Sequence, residues 1–184
     1  MKLLPTALPG VLRVEPQVHR DERGFLFEVY HRGKFAAQGL DVDFVQQNHS
    51  GSRRHTLRGL HLQALDPQGK LVRAVTGEIF DVAVDVRVGS PTFGRWVGAE
   101  LSAANLHALW IPPGFAHGFC VLSAEAQVEY LCTTLYRPDA DLTIRWDDPA
   151  IGVEWPSSAP LLSPKDAAAP PLAALVDRLP RYDA

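Results

Sequence analysis

The chain is poor in the residues that would commit it to several common classes. It has 2 cysteines, 1 methionine and, among 18 basic residues, only four lysines: Lys2, Lys34, Lys70 and Lys165. Cys120 and Cys132 are too few for a disulfide scaffold and have no CxxC partner, so a thiol-rich metal site or redox motif is not indicated and buried free thiols are the expectation. No apolar run reaches the roughly 18 residues a membrane helix needs, and Pro5 and Pro9 interrupt the opening Met1-Lys2-Leu3-Leu4 before a signal-peptide core forms. A formal charge of −3 gives no global pull toward nucleic acid or an anionic membrane, so an anionic ligand must be held by placed residues. A soluble cytoplasmic protein with no nucleic-acid or membrane partner is expected. The strand-helix alternation of a parallel α/β sheet is also missing, as are internal repeats and low-complexity blocks.

What is abundant is punctuation. The 184 residues include 15 prolines and 14 glycines, yet 46% are hydrophobic and 21% charged, enough apolar material to bury a core. One domain spanning 1–184 is the expectation. From Glu78 to Val88 the sequence alternates, with Phe80, Val82, Val84, Val86 and Val88 on one side and Asp81, Ala83, Asp85 and Arg87 on the other, which reads as a half-buried strand. Similar runs at 24–30, 43–50, 57–63, 70–75, 95–101, 106–111, 117–123, 127–136 and 142–146 are separated by turn chemistry such as Asp66-Pro67-Gln68-Gly69 and Pro112-Pro113-Gly114. Around ten strands at hairpin spacing predict an all-β sandwich or barrel. Helical signals are few: a short turn at 32–38 and a proline-started helix at 171–178, within a C-terminal tail at 167–184.

Several segments could carry chemistry. Leu57-Arg58-Gly59-Leu60-His61-Leu62-Gln63 puts an arginine, a glycine and a histidine in one strand. A bulge at Gly59 would let Arg58 and His61 face one cavity despite their odd spacing; for an isolated histidine, a satisfied core position is the commoner role. Lys70 opens the next strand, where an ammonium near His61 could bind phosphate or stabilise an oxyanion. His117 follows the rigid Pro112-Pro113-Gly114 turn. Tyr130 and Tyr136 share a face with Cys132 and Thr134, a pattern equally suited to core packing. Gln46-Gln47-Asn48-His49-Ser50 is rich in amides, which are costly to bury unbonded and so imply a polar ligand or a sheet edge.

Taken in order, Asp-Glu-Arg-Gly-Phe at 21–25, Gln-Gln-Asn-His-Ser at 46–50, Leu-Arg-Gly-Leu-His at 57–61, Gln-Gly-Lys-Leu-Val at 68–72, Asp-Val-Ala-Val-Asp-Val-Arg at 81–87, Gly-Ser-Pro-Thr-Phe-Gly at 89–94, Pro-Pro-Gly-Phe-Ala-His-Gly-Phe at 112–119 and Leu-Ser-Pro-Lys-Asp at 162–166 resemble the dTDP-4-dehydrorhamnose 3,5-epimerase family. The resemblance covers nearly the whole chain. It implies a cupin-type jelly roll (double-stranded β-helix) working as a homodimer with no metal and no organic cofactor. The implied reaction converts dTDP-4-dehydro-6-deoxy-D-glucose to dTDP-4-dehydro-L-rhamnose, a step of dTDP-L-rhamnose biosynthesis. His61 falls on the family's proton acceptor, Tyr130 on its proton donor and Asp166 on the carboxylate paired with that histidine. Implied substrate-binding positions are Arg23, Phe25 and Glu28 near the start, with the first few reaching toward a partner subunit's site. Gln46, Gln47, Asn48, Arg58, Lys70 and His117 follow in the middle. Tyr136, Asp141 and Lys165 complete the set, with aspartate at 141 where the family pattern has the longer glutamate.

Three alternatives stand beside this reading. A relative that epimerises only C3 or C5 would keep the same histidine and tyrosine. A metal-dependent cupin needs a His-x-His pair followed by Glu, and His61-Leu62-Gln63 lacks the second histidine. A non-catalytic sugar-nucleotide binder would have no use for both His61 and Tyr130.

Overall fold

Alternating β-branched and aromatic positions between glycine- and proline-bearing turns build thirteen strands in the computed structural model, which describes residues 1–182. In chain order they are β1 (Lys2–Pro5), β2 (Leu12–Glu15), β3 (His19–Asp21), β4 (Gly24–Leu26), β5 (Gln46–Arg53), β6 (Leu57–Gln63), β7 (Lys70–Thr76), β8 (Glu78–Asp85), β9 (Trp96–Ser102), β10 (Ala108–Ile111), β11 (Phe115–Val121), β12 (Glu125–Cys132) and β13 (Asp141–Thr143). Two short helices, α1 (Arg32–Ala36) and α2 (Pro164–Ala167), complete the regular structure with two single turns of 3-10 helix at Leu172–Ala174 and Val176–Arg178. The expected terminal helix over 171–178 is therefore a pair of 3-10 turns, separated at Leu175. The segment is too short to support α-helix without tertiary contacts and takes its shape from the sheet beneath it.

The strands form a six-stranded sheet in the order β1-β2-β10-β7-β12-β5 and a five-stranded sheet in the order β13-β6-β11-β8-β9, with antiparallel pairing throughout. This is the expected all-β jelly roll. A separate two-stranded hairpin, β3-β4, stands apart from both sheets. Between the sheets lies an apolar core that includes Val72, Ile79, Leu101, Leu109, Phe115, Phe119, Val121 and Val128. The outer face of the six-stranded sheet is covered by α1, whose Phe35 is fully buried with Val14, Leu71 and Trp110. Burying a side chain of that size contributes about 1.5–3 kcal/mol.

Strand β8 departs from its half-buried reading, because both of its faces are covered. Val82 and Val84 pack outward against Leu172, Leu175 and Leu179 of the C-terminal segment, while Ile79 and Ala83 face the sandwich core. Asp81 and Asp85 are consequently fully buried rather than solvated. The tail is pinned at its end: Val88 N–H donates to the Pro180 carbonyl, Tyr182 N–H donates to the Val88 carbonyl, and the Arg87 guanidinium lies between the rings of Phe115 and Tyr182, 4.5 and 4.8 Å from their centroids. Both cysteines are free and buried, as their number predicts.

Candidate active site

Strand β6 carries the irregularity that shapes the site. His61 pairs with His117 and Arg58 with Phe119, so β6 uses three steps where β11 uses two, and the bulge falls at Gly59-Leu60. Gly59 has φ +141°, and a Cβ there would lie 2.5 Å from Cα of Gly118, so this crossing requires glycine. The bulge expected at Gly59 is present, but Arg58 and His61 do not line one cavity. His61 enters a cleft between the sheets, whereas the exposed Arg58 donates from Nε to Ser52 Oγ at 3.0 Å and borders a neighbouring depression that reaches Asp166.

The cleft has a volume of about 300 Å³. Gln46 and Asn48 of β5, Lys70 of β7 and Tyr130 of β12 enter from the six-stranded sheet; His61 of β6 and Asp141 of β13 enter from the five-stranded sheet. Tyr136 and Lys165 reach it from loop and α2. His61 and Tyr130 thus approach the same space from opposite sheets. Nε2 of His61 lies 2.5 Å from Oδ1 of Asp166, a residue 3% exposed. An ionised carboxylate only accepts, so Nε2 is the donor of this pair. Burial opposes ionisation of Asp166, but the hydrogen bond and charge of His61 and the Ser163 hydroxyl outweigh it and hold the carboxyl below its ordinary range.

The other groups are tuned by desolvation. Burial raises the Tyr130 phenol, against the pull of the Arg58 charge, and so keeps it a proton donor at neutral pH. Burial lowers the Lys70 ammonium, opposed by Cys132, Asp81 and Asp141, and its Nζ sits 6.0 Å from the Tyr130 ring centroid. Amides tie the floor together: Gln46 Nε2 donates to Asn48 Oδ1 at 3.2 Å, and Asn48 Nδ2 donates to Cys132 Sγ at 3.7 Å.

Besides Arg58, five expected binding residues lie outside this cleft in the single chain. Gln47 alternates onto the outer face of β5 and borders a depression with Tyr30, Arg73 and Glu129. His117 is 6% exposed and does not line the cleft; its Nε2 is 2.7 Å from Oδ1 of Asp81, and its ring backs onto Tyr130 with centroids 6.5 Å apart. Burial lowers the His117 imidazole against the pull of Asp81, which suits a neutral buttress. Arg23 and Phe25 belong to the β3-β4 hairpin, where Arg23 pairs with Asp21 at 2.5 Å and Phe25 stacks on Phe27 at 5.9 Å. Glu28 is paired with Lys34 of α1. Three cleft residues fall outside the expected set: Leu62, Gln63 and Gln68. Gln63 accepts from Arg137 N–H at 2.8 Å and donates to the Asp66 carbonyl at 2.7 Å, and Gln68 donates to the Thr134 carbonyl at 2.7 Å. The period of two marks Gln63, because it is two residues beyond His61 on the same strand; Gln68 sits in a turn that offers no such signal.

A family profile described as dTDP-4-dehydrorhamnose 3,5-epimerase matches residues 5–174. The chain belongs to the dTDP-4-dehydrorhamnose 3,5-epimerase family. It is 57% identical over 169 residues to the dTDP-4-dehydrorhamnose 3,5-epimerase of Neisseria gonorrhoeae, covering 91% of this chain but only 52%, about half, of that relative. With the enzyme of the same name from Salmonella typhimurium the identity is 56% over 173 residues, covering 92% of this chain and 94% of the relative. The crystal structure of the dTDP-6-deoxy-D-glucose-3,5-epimerase of Legionella pneumophila, in complex with dTDP-4-keto-L-rhamnose, superposes with TM-score 0.96 at 46% identity, covering 100% of this chain and 99% of that one. Among the described residues of this family member no helix is long and apolar enough to cross a membrane.

Proposed function

We propose that this chain epimerises C3 and C5 of dTDP-4-dehydro-6-deoxy-D-glucose to give dTDP-4-dehydro-L-rhamnose, as a step toward dTDP-L-rhamnose. The observation that carries the reading is the placement of a carboxylate-paired histidine and a protonated tyrosine on opposite sheets of one polar cleft. The C4 ketone acidifies the hydrogens at both C3 and C5. Nδ1 of His61 takes the proton, and the electron pair of the C–H bond moves to the C4 oxygen as an enolate. Asp166 stabilises the imidazolium so formed. Lys70 is the cation available to the enolate oxygen, a contribution of about 3–4 kcal/mol for a well-placed donor. Tyr130 returns a proton from the opposite ring face, which inverts the carbon, and solvent then reprotonates the tyrosinate and takes the abstracted proton from the His61 imidazolium, so that both groups are restored. No step in this sequence calls for a metal or organic cofactor.

The site is completed in a homodimer on this reading. The β3-β4 hairpin presents Phe25 and Leu26 at 55% and 75% exposure beside Arg23, a tip suited to entering a second copy's cleft. There Arg23 and Arg58 would hold the diphosphate as paired guanidinium forks. The two unpaired buried thiols suit the cytoplasm. The single-carbon alternative has support in a Streptomyces niveus relative named dTDP-4-dehydrorhamnose 3-epimerase, 40% identical, and in a Streptomyces bikiniensis 3'-monoepimerase whose structure superposes with TM-score 0.90 at 37% identity. Incubation with the 4-keto sugar nucleotide in heavy water, reading deuterium at C3 and C5 separately by NMR, decides between them. Incorporation at both carbons, unaffected by chelator, is expected; incorporation at one alone would make the chain a mono-epimerase.

A further inference from the structure

Asp148 is 3% exposed and has no part in the chemistry above, yet both of its carboxylate oxygens are committed to backbone amides. Oδ1 accepts from Ala150 N–H at 2.8 Å, which closes the turn in which Asp148 stands. Oδ2 accepts from Leu172 N–H at 2.5 Å, 24 residues further along the chain. A carboxylate is costly to bury, so one placed between two segments in this way marks a fixed point. The turn is itself tied to the strand of the base. Beyond β13, Ile144 exchanges backbone bonds with Leu60 of β6 at 2.8 and 3.1 Å, next to His61, and Arg145 N–H donates to the Pro170 carbonyl at 2.9 Å. Residues 170–172 are thus held at two points by a turn that rides on β6.

The other end of the same segment is held by β6 as well. Leu57 N–H donates to the Leu161 carbonyl at 3.0 Å and Leu161 N–H to the His55 carbonyl at 2.8 Å, a parallel bridge at the start of the strand. Between these anchors, residues 162–169 carry α2 and Asp166. Four residues are far below the length at which a helix holds its own shape, so the position of α2 is set by its ends. Downstream, Pro170-Pro171 is stiff, with Pro171 at φ −68° and ψ 158° in the polyproline region, and the placement of Leu172 is passed back to α2.

We propose that Asp148 is a positioning residue for the reaction: it pins the downstream end of a strap over residues 161–172 and so holds the Asp166 carboxylate on His61, a role that rests on the epimerase reading above. Asp148 does not line the cleft, so it acts on the reaction only through α2. Leu172 has two parts in the device, its amide as the donor to Asp148 and its side chain packed with Val82 and Val84. Packing is non-directional and leaves a segment free to slide along an apolar face. A directional bond to a buried anion fixes where it stops.

The test is a double-mutant cycle on kcat, read by heavy-water exchange at C3 and C5, with Asp148→Ser and Asp148→Asn each made in the wild-type and Asp166→Asn chains. A serine hydroxyl still accepts from the amide two residues on, which keeps the turn, but is too short to reach Leu172. Asparagine keeps an acceptor at only one of the two positions, so either variant can carry the comparison if the other fails to fold. Each should lower kcat on the order of 10- to 100-fold in the wild-type chain, as misplacement of a reacting group does. Where Asp166 is already asparagine, the further loss should be less than about twofold. KM is free to rise, since Lys165 rides on the same helix. Hydrogen exchange read by mass spectrometry should quicken across residues 162–172 while β8 and β11 keep their protection. Leu101→Ala sets the scale of a purely structural lesion. It opens a cavity on β9, the edge of the five-stranded sheet opposite β13, and should lower the melting temperature with kcat unchanged. A kcat within threefold of wild type in the Asp148 variants would overturn the proposal. So would an equal fold-loss in both backgrounds, the additivity expected of damage that does not pass through Asp166. A wild-type chain that exchanges neither carbon removes the epimerase reading, whereas unchanged hydrogen exchange over 162–172 removes the strap whatever the activity. An active wild type with either contrary result in the cycle removes the role of Asp148 alone.

Discussion

Replacing Asp166 with asparagine probes the base most directly. The carboxylate is 3% exposed and lies 2.5 Å from Nε2 of His61, so the substitution exchanges a buried charge-assisted hydrogen bond for a neutral one at nearly constant volume. Such bonds contribute about 1.5–3 kcal/mol, and every 1.4 kcal/mol is tenfold in rate, which sets a floor of roughly 10- to 150-fold on the loss in kcat. The tautomer adds to it. An asparagine amide that donates to Nε2 leaves the ring proton on Nδ1, the nitrogen that acts as base in the proposed mechanism, and that lone pair is lost. Interchange of tautomers in a comparable histidine-carboxylate pair has cost about 10⁴, so a loss of 10²–10⁴ is expected here. The assay is deuterium incorporation at C3 and C5 across pH 5 to 9, with thermal melting to confirm that the variant is folded. A kcat within threefold of wild type would refute the assignment of His61 as the base held by Asp166.

Three further substitutions test separate parts of the account. Tyr130→Phe keeps the ring that packs on His117 but removes the donor; His61 should still wash hydrogen out at the acidic carbons while net inversion falls about 10²–10⁴-fold, and undiminished inversion would move the acid elsewhere. Gly59→Ala forces a Cβ to within 2.5 Å of Gly118 Cα and 3.1 Å of the His117 carbonyl at φ +141°, and should cost about 3 kcal/mol or more by urea unfolding; a cost under about 1 kcal/mol would show that the β6-β11 crossing can relax. Asp85 is fully buried, and although burial opposes its ionisation, bonds from Arg87, Ser90 and Thr92 hold its carboxyl below the ordinary value. Its contribution is thus present above an unfolded-state pKa of about 3.9 and is lost as pH falls through the lower folded value. Asp85→Asn should lower stability by about 2–3 kcal/mol at pH 7 and flatten the acid limb of the stability profile; an unchanged acid limb would contradict the depressed pKa.

The strands were legible because their two-residue period survives in the sequence, and β6 was read with its bounds intact from Leu57 to Gln63. The short strands β1, β2 and β3 were not, since three or four residues carry too little period to stand out from the surrounding prolines. Strand β12 ends at Cys132, earlier than its alternation suggested, and Tyr136 reaches the cleft from the loop beyond it. His61, Tyr130 and Asp166 came from a resemblance rather than from spacing; no periodic rule links residues 105 positions apart. His117 illustrates the limit most clearly. A histidine after a rigid turn reads as a ligand contact, yet a buried aspartate on β8 claims it, and only the register of β11 against β8 shows that the two face the same interior.

The same register explains how one sandwich can hold both a core and a cleft. On β12 the inward positions run Ala126, Val128, Tyr130, Cys132, and on β7 they run Ala74, Val72, Lys70, so the interior face changes from apolar to polar partway along each strand. On β5, Gln46, Asn48, Ser50 and Ser52 are the partly buried positions and none is apolar. One end of the jelly roll is therefore packed shut while the other stays open. Polar groups continue into the interior there: Oδ2 of Asp81 and the hydroxyl of Thr143, a residue in register with His61, are buried without protein partners. Burying polar groups costs stability that an apolar core would retain, and keeps charge and hydrogen bonding available beside Lys70 and His61. The apolar outer layer of β8 against Leu172, Leu175 and Leu179 offsets that loss, and it also fixes the C-terminal segment that returns Asp166 to His61.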